Sequence, residues 1–256
     1  MKTQLKAQSF ILLALACHHV CQAFTSSSTV LRQKCSHVVA STKLHSTPPA
    51  TPQELIETPS IWNPIKESLN SVPAFACTNS EGQPLQYNVG GATLAFFYTD
   101  IEAAKTELAK ASEEMSGENT KLKLNPFPLG EVFAMGAQNM ALLIPSSDSL
   151  TAAGAPLGMN PVGQQVPLFG CLSMVETLPD GTSDIPLFFS EKEAKEAMDM
   201  ALKSVEDEKM KDQFEVTVMP LAGAIQTQAK ELGKRTFTYV PEQSSLDYLR
   251  SLEKNN

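Results

Sequence analysis

The chain has no histidine after residue 53, because its four histidines all lie nearer the N-terminus: His18, His19, His37 and His45. This absence excludes Ser-His-Asp and Cys-His nucleophiles, histidine proton shuttles and nearly all zinc or non-haem iron sites. No Walker loop or Gly-x-Gly-x-x-Gly fingerprint occurs either. Carboxylate catalysis and magnesium binding survive these exclusions, but no clustered Asp/Glu pattern indicates them. We therefore expect a protein that is not an enzyme, with no catalytic residues, no metal and no cofactor.

The first 53 residues contain no aspartate or glutamate. Lys2 and Lys6 precede an apolar run over residues 10–17, and the small-residue junction Cys21-Gln22-Ala23 follows it. The run is well short of the ~20 residues that a membrane-spanning helix needs. This pattern predicts a cleavable signal peptide over residues 1–23, and the alternative is a buried N-terminal helix.

Residues 24–53 are rich in serine and threonine and carry only basic charge, at Arg32, Lys34 and Lys43. This composition is typical of an organelle transit peptide, which cannot bury enough apolar surface to fold alone. The alternative is an ordinary disordered linker. A signal peptide followed by such a segment resembles the bipartite presequences of algae with complex plastids, so we expect the mature protein in a plastid or between its membranes.

The charge of the chain is strongly segregated. All 28 acidic residues follow position 53, whereas only 15 of the 20 basic residues do, which leaves a net charge of −13 for the mature part. Such a surface repels nucleic acid and anionic lipid and can attract basic polypeptides, including acid-free transit peptides. The alternative is that the charge serves solubility alone.

The mature part contains the same order of motifs twice. The pairs are Val72-Pro73-Ala74-Phe75-Ala76-Cys77 with Val166-Pro167-Leu168-Phe169-Gly170-Cys171, Phe96-Phe97 with Phe188-Phe189, Pro128-Leu129 with Pro220-Leu221, Ile144-Pro145 with Val240-Pro241, and Ser149-Leu150 with Ser245-Leu246. These pairs are collinear, so residues 54–256 are predicted to form one duplicated domain, with repeats at about 71–153 and 164–256. We expect a pseudo-symmetric body whose functional surface lies between or across its halves.

Each repeat is predicted to run strand, strand, strand, helix, strand, helix, strand, helix. Thr99 with Glu102, and Ser190 with Glu193, fit capping boxes that would begin the first helix of each repeat. The predicted fold class is therefore α+β: a two-lobed pseudo-symmetric duplication in which each lobe is a mainly antiparallel sheet packed with helices. The hairpin that follows each cysteine differs in length, so the lobes should differ most there.

This order of elements is similar to the 22-kilodalton subunit family of the translocon at the inner chloroplast envelope. The best local matches are residues 166–169, 185–191 and 129–133, and the similarity extends from Ser71 to Leu252. The first repeat departs from the pattern over residues 92–95, where no Ile-Pro or Val-Pro precedes the two phenylalanines. The resemblance implies a soluble or peripheral protein of the intermembrane space of the plastid envelope. It also implies partners: precursor proteins and inner-envelope translocon components.

The leading hypothesis is a chaperone-like import component that binds precursor polypeptides with basic transit peptides and passes them to the inner translocon. Its candidate groove residues are Phe75, Phe97, Phe169 and Phe189, and the alternative for each is an ordinary core position. A second hypothesis is a plastid redox protein that uses Cys77 and Cys171, and the alternative for both cysteines is that of a buried small hydrophobe. A third is a carrier of a small apolar ligand, which would need a closed cavity.

Overall fold

The computed structural model describes residues 51–115, 121–203, 212 and 214–254. The predicted signal peptide and nearly all of the predicted transit segment lie outside these residues. Two helices come first, α1 (Pro52–Ile56) and α2 (Pro59–Leu69). Thr51 caps α1 in a capping box with Glu54, so residues 51–53 are part of an ordered helical start rather than of the disordered segment to which the prediction assigned them.

The first repeat follows the predicted element order. Its elements are β1 (Pro73–Thr78), β2 (Gln86–Val89), β3 (Ala92–Tyr98), α3 (Ile101–Glu114), β4 (Lys123–Pro128), α4 (Leu129–Ala137), β5 (Ala141–Ile144) and α5 (Ser147–Ala152). The strands form one sheet in the order β4, β1, β3, β5, and β2 pairs with the first half of β3. Only β3 and β5 pair in parallel, so the sheet is mainly antiparallel, as predicted.

The second repeat has the same elements and the same sheet order. They are β6 (Pro167–Gly170), β7 (Glu176–Thr177), β8 (Ser183–Phe188), α6 (Glu191–Leu202), β9 (Thr217–Pro220), α7 (Leu221–Lys230), β10 (Arg235–Val240) and α8 (Gln243–Glu253). The parallel pair is β8 with β10. The hairpin strand β7 has two residues where β2 has four, which agrees with the predicted difference between the repeats. The α+β, two-lobed prediction is confirmed.

The structure corrects the predicted alignment of the third strands. The equivalent pairs across the sheets are Phe75 with Tyr98 and Phe169 with Phe188. These third strands therefore match at a separation of 90 residues, not at the 92 that their adjacent phenylalanines indicate. Phe97 corresponds to Leu187 rather than to Phe189. The β-pairing decides which residues are equivalent, because each strand has to satisfy the hydrogen bonds of its ladder. A similar pair of side chains, such as two adjacent phenylalanines, does not fix this register.

The same shift moves one helix cap. The N-cap of α3 is Asp100, whose carboxylate accepts hydrogen bonds from the N–H groups of Glu102 and Ala103 at 3.0 and 3.1 Å. The predicted capping box of Thr99 with Glu102 is therefore wrong by one residue. Ser190 does cap α6, accepting from the Glu193 N–H, and Asp100 and Ser190 are equivalent caps.

A non-repeated helix, α2, lies against both repeats. Its buried face contains the single tryptophan, Trp62, which packs against Phe133 of α4 with ring centroids 5.6 Å apart. The hydroxyl of Ser68 donates to the carbonyl of Phe237 in β10 at 2.9 Å. One apolar cluster accordingly contains residues of α2 and of both sheets. The prediction left residues 54–70 unassigned because no repeat partner or strand pattern draws attention to them.

The last helix of each repeat packs against the other repeat. Ser149 in α5 donates its hydroxyl hydrogen bond to the carbonyl of Phe189, at 2.8 Å. Tyr248 in α8 packs edge-on against Phe75 of β1, with ring centroids 5.7 Å apart. These reciprocal contacts join the two lobes into one body. The N-termini of helices from both repeats lie at the boundary between the lobes.

Candidate functional site

A crevice lies where four helix N-termini meet at the boundary between the repeats. Its volume is about 370 Å³. The N-caps of α3, α5, α6 and α8 all border it: Asp100, Ser146, Ser190 and Glu242. The remaining lining residues are Glu102, Asp148, Ser149, Ala152, Glu191, Lys192 and Ser244. The crevice is therefore lined by residues of both repeats.

The crevice lining is pseudo-symmetric in position but not in charge. Asp100 corresponds to Ser190, and Glu242 corresponds to Ser146, because each pair caps equivalent helices. Five acidic residues and one lysine, Lys192, line the crevice. Glu102 and Glu191 of this lining are ion-paired with lysines of their own helices, Lys105 and Lys195, each at 2.8 Å. Helix N-termini carry partial positive charge, so acidic side chains are stabilising beside them. The acidic lining thus offsets the partial positive charges of the four helix N-termini.

Two glutamates of this region hold protons more tightly than usual. Burial, together with the charges of Asp100, Glu193 and Asp148, raises the pKa of Glu242 to about 8. Burial also raises the pKa of Glu193, although the N–H of Gln243 donates to its carboxylate at 2.8 Å and opposes that shift. The charge of the crevice consequently depends on pH in the neutral range.

The structure places the four predicted groove residues in the core. Phe75, Phe97 and Phe169 are fully buried, and Phe189 is 2% exposed. Phe97 packs edge-on against Phe127 at 5.2 Å between ring centroids. None of the four rings lines an open groove, because strand residues covered on both faces fill the core instead. They match the alternative that the sequence left open, and a direct contact between these rings and a polypeptide stays a prediction.

The two cysteines are free and buried. Burial, reinforced by the charge of Glu107, raises the pKa of the Cys77 thiol to about 12. A redox cysteine needs a lowered pKa and access to solvent, and Cys77 has neither. Cys171 packs in the apolar cluster of the second repeat with Phe169 and Phe188. Both thiols occupy the places of small core hydrophobes.

A second, smaller cavity of about 240 Å³ opens on the first repeat. It lies between the β2–β3 hairpin and the turn that joins α4 to β5, and its lining residues are Pro84, Gln86, Thr93, Ala95, Met135, Asn139 and Met140. Met140 is 47% exposed. The cavity is open and of mixed polarity, unlike the closed apolar space that a small-ligand carrier would need.

Other chemistry finds no support in the part of the chain that the structure describes. No group of three or more His, Cys, Asp or Glu residues there is arranged to hold a metal ion. No helix among the same residues is long and apolar enough to cross a membrane.

Sequence reasoning missed the crevice, although one signal for it was present. Asp100 and Glu242 each stand directly before a helix, Asp100 at the place that Ser190 has in the other repeat and Glu242 at the place that Ser146 has. Their convergence depends on the exchange of the last helices, which the order of motifs does not reveal.

The fold of this chain also occurs in proteins of known structure. No protein-family model matches this chain, and no curated protein gives a significant match. The solved structure of Tic22 from Plasmodium falciparum is similar, with a TM-score of 0.59 and 20% identity over 75% of this chain and 98% of that chain. A structure of Anabaena Tic22, a protein described as acting in protein transport, is similar with a TM-score of 0.54 and 19% identity over 74% of this chain and 96% of that chain. This chain has the fold of these two proteins.

Proposed function

We propose that this chain is a chaperone-like component of plastid protein import. It binds precursor polypeptides between the envelope membranes and passes them to the inner translocon. The observation that carries the proposal is the shared fold over 98% and 96% of two solved Tic22 chains, one of which is described as acting in protein transport. The plastid-type presequence, inferred independently from residues 1–53, supports the same compartment.

The surface charge supports a basic polypeptide as the ligand. The mature part has a net charge of −13, and five acidic residues line the inter-repeat crevice. Glu242, with its pKa of about 8, adds its negative charge only above neutral pH. Electrostatic attraction between such a surface and an acid-free transit peptide speeds encounter more than it stabilises the complex. Fast, reversible capture is what a component that passes its client onward requires.

The redox alternative has less support than the import role. It needs a reactive thiol, whereas Cys77 is buried and its pKa is about 12. The carrier alternative needs an enclosed apolar cavity, and the two cavities described above are both open.

Site-directed crosslinking in isolated plastids tests the proposal. A photoreactive group placed at Ser244, on the rim of the crevice, should give adducts with a radiolabelled precursor that is arrested during import. The matched control carries the group at exposed Glu57, the C-cap residue of α1, and should give few adducts. Absence of precursor and translocon adducts at several surface positions would refute the import role.

A further inference from the structure

The second sheet has an open edge at β9. This strand ends the sheet order, with only β6 paired to it among the described residues. Val218, in the middle of β9, is 46% exposed. Open sheet edges present unpaired N–H and C=O groups that another chain can pair with, and natural proteins usually protect them. The edge strands of the two sheets, β4 and β9, can be compared because their hydrogen bonds show which backbone groups point outward.

The register shows which backbone groups of β9 point outward. The N–H of Leu221 donates to the carbonyl of Val166 at 2.8 Å, so these two residues form a hydrogen-bonded pair. Hydrogen-bonded and non-hydrogen-bonded pairs alternate along an antiparallel ladder. Met219 and Thr217 therefore direct their backbone groups toward β6. The N–H and C=O of Val218, opposite Phe169, point away from the sheet.

The equivalent edge of the first repeat is blocked. There the N–H of Leu129 donates to the carbonyl of Val72 at 2.9 Å, so the outward positions of β4 are Leu124, Pro126 and Pro128. Proline has no N–H, and its presence protects an edge strand from further pairing. Pro126 lies opposite Phe75 as Val218 lies opposite Phe169, so at this outward position one repeat has a proline and the other has an exposed valine whose N–H points away from the sheet.

We propose that the β9 edge binds an extended segment of a precursor polypeptide as an added strand. This deepens the proposed function and rests on it. Strand addition takes its affinity from main-chain hydrogen bonds, so it tolerates the varied sequences of many clients. The exposed acidic residues Asp212 and Glu215 precede the edge, and with the net charge of −13 they favour a segment that is basic and free of carboxylates.

Peptide binding by matched edge variants tests the proposal. The test uses the protein purified from its own cells, in the processed form that it has there. The probe is a fluorescent peptide with the sequence of residues 24–47 carrying Cys35→Ser, and anisotropy measures its Kd. Val218→Pro removes the outward N–H and should weaken binding about tenfold or more. Val218→Thr keeps that N–H and the β-branched shape, so it should stay within about twofold of the unsubstituted protein.

Two further measurements separate strand pairing from other modes of binding. The same peptide with alternate backbone nitrogens methylated should lose binding to the unsubstituted protein, because it retains its charges but lacks donors. Pro126→Val opens the blocked edge and should raise the stoichiometry from one peptide per chain to two. An unchanged stoichiometry in that variant would overturn the pairing mechanism. Because Pro126→Val removes a proline instead of introducing one, it does not carry the risk of misfolding that Val218→Pro carries.

The outcomes also distinguish the edge from the import role. Equal affinity of Val218→Pro and the unsubstituted protein, with unchanged circular dichroism and melting, would overturn the edge proposal. So would failure of the unsubstituted protein to bind the peptide. If precursor crosslinking in plastids persists at full yield in Val218→Pro, the import role stands and the β9 edge is not its site. If the unsubstituted protein gives no precursor adducts, the import role itself fails.

Discussion

Gly130 sets the distance between the non-repeated helix α2 and helix α4. A Cβ atom added at Gly130 would lie 2.8 Å from the carbonyl oxygen of Lys66 and 2.5 Å from the side-chain oxygen of Asn70. The Asn70 side chain can rotate, but the Lys66 carbonyl belongs to the helical backbone of α2. Gly130→Ala therefore requires the two helices to separate by about half an ångström. A gap of this size already forfeits a quarter or more of each dispersion contact.

Two opposing effects decide the sign of this change. Alanine improves helix propensity by up to about 1 kcal/mol relative to glycine, and less near a helix end. Overpacking of a close contact costs about 1–3 kcal/mol, and this interface also holds the Trp62–Phe133 ring contact and the 2.8 Å ion pair of Lys66 with Glu131. We expect overpacking to win, with a net loss of roughly 1–2 kcal/mol in the free energy of unfolding.

Urea unfolding followed by tryptophan fluorescence measures the effect, because Trp62 lies in the same interface. The control is Gly136→Ala in the same helix, where the added Cβ would meet its nearest atom, the Ala141 carbonyl oxygen, at 3.6 Å. That variant should be as stable as the unsubstituted protein or more stable. If Gly130→Ala is equally stable, the close approach of α2 to α4 does not exist as described.

Three further predictions concern the crevice, a cap and a thiol. Because the pKa of Glu242 is raised from 4.5 to about 8, its contribution to stability is fully present below pH 4.5 and is lost as pH rises through 8. Glu242→Gln should make stability depend less on pH in this range, and it should stabilise the protein above pH 8 by about 1 kcal/mol after allowance for solvent screening. Calorimetry that shows the same change of melting temperature with pH in the variant would contradict the link between Glu242 protonation and stability. Asp100→Ala should cost about 1 kcal/mol in urea unfolding because the cap is lost, and an unchanged free energy of unfolding would contradict the Asp100 cap. Iodoacetamide should label native Cys77 far more slowly than the unfolded chain, since its thiol is buried with a pKa of about 12, and equal rates measured by mass spectrometry would contradict its burial.

The element order of each repeat followed from local patterns that a sequence displays directly. The predicted order of strand, strand, strand, helix, strand, helix, strand, helix is the order that the structure has in both repeats. Apolar periodicity and Pro-Leu steps suffice for such elements because they reflect the chain's own backbone preferences and burial. The equivalence of Phe97 with Phe189 did not survive, since side-chain similarity carries no information about ladder register.

The candidate groove shows the limit of strand patterns. Phe75, Phe97, Phe169 and Phe189 stand where a groove or a core would place them equally well, and only the covering helices identify them as core. The crevice could not be predicted from strand patterns, because it depends on contacts between helices of different repeats. Asp100 and Glu242 are far apart in sequence, and they come together because α5 and α8 each pack on the other repeat.

The sequence by itself determined the repeated order of motifs, the α+β class, the absence of histidine beyond residue 53 and the excess of acidic over basic residues after that position. These properties depend on composition, on periodicity and on order along the chain. The tertiary structure alone decided that α2 packs against both repeats, that the last helix of each repeat packs against the other repeat, and that Val218 and Pro126 hold the equivalent outward positions of β9 and β4. Those features arise from contacts between distant segments, whose close packing and paired backbone groups no local pattern specifies.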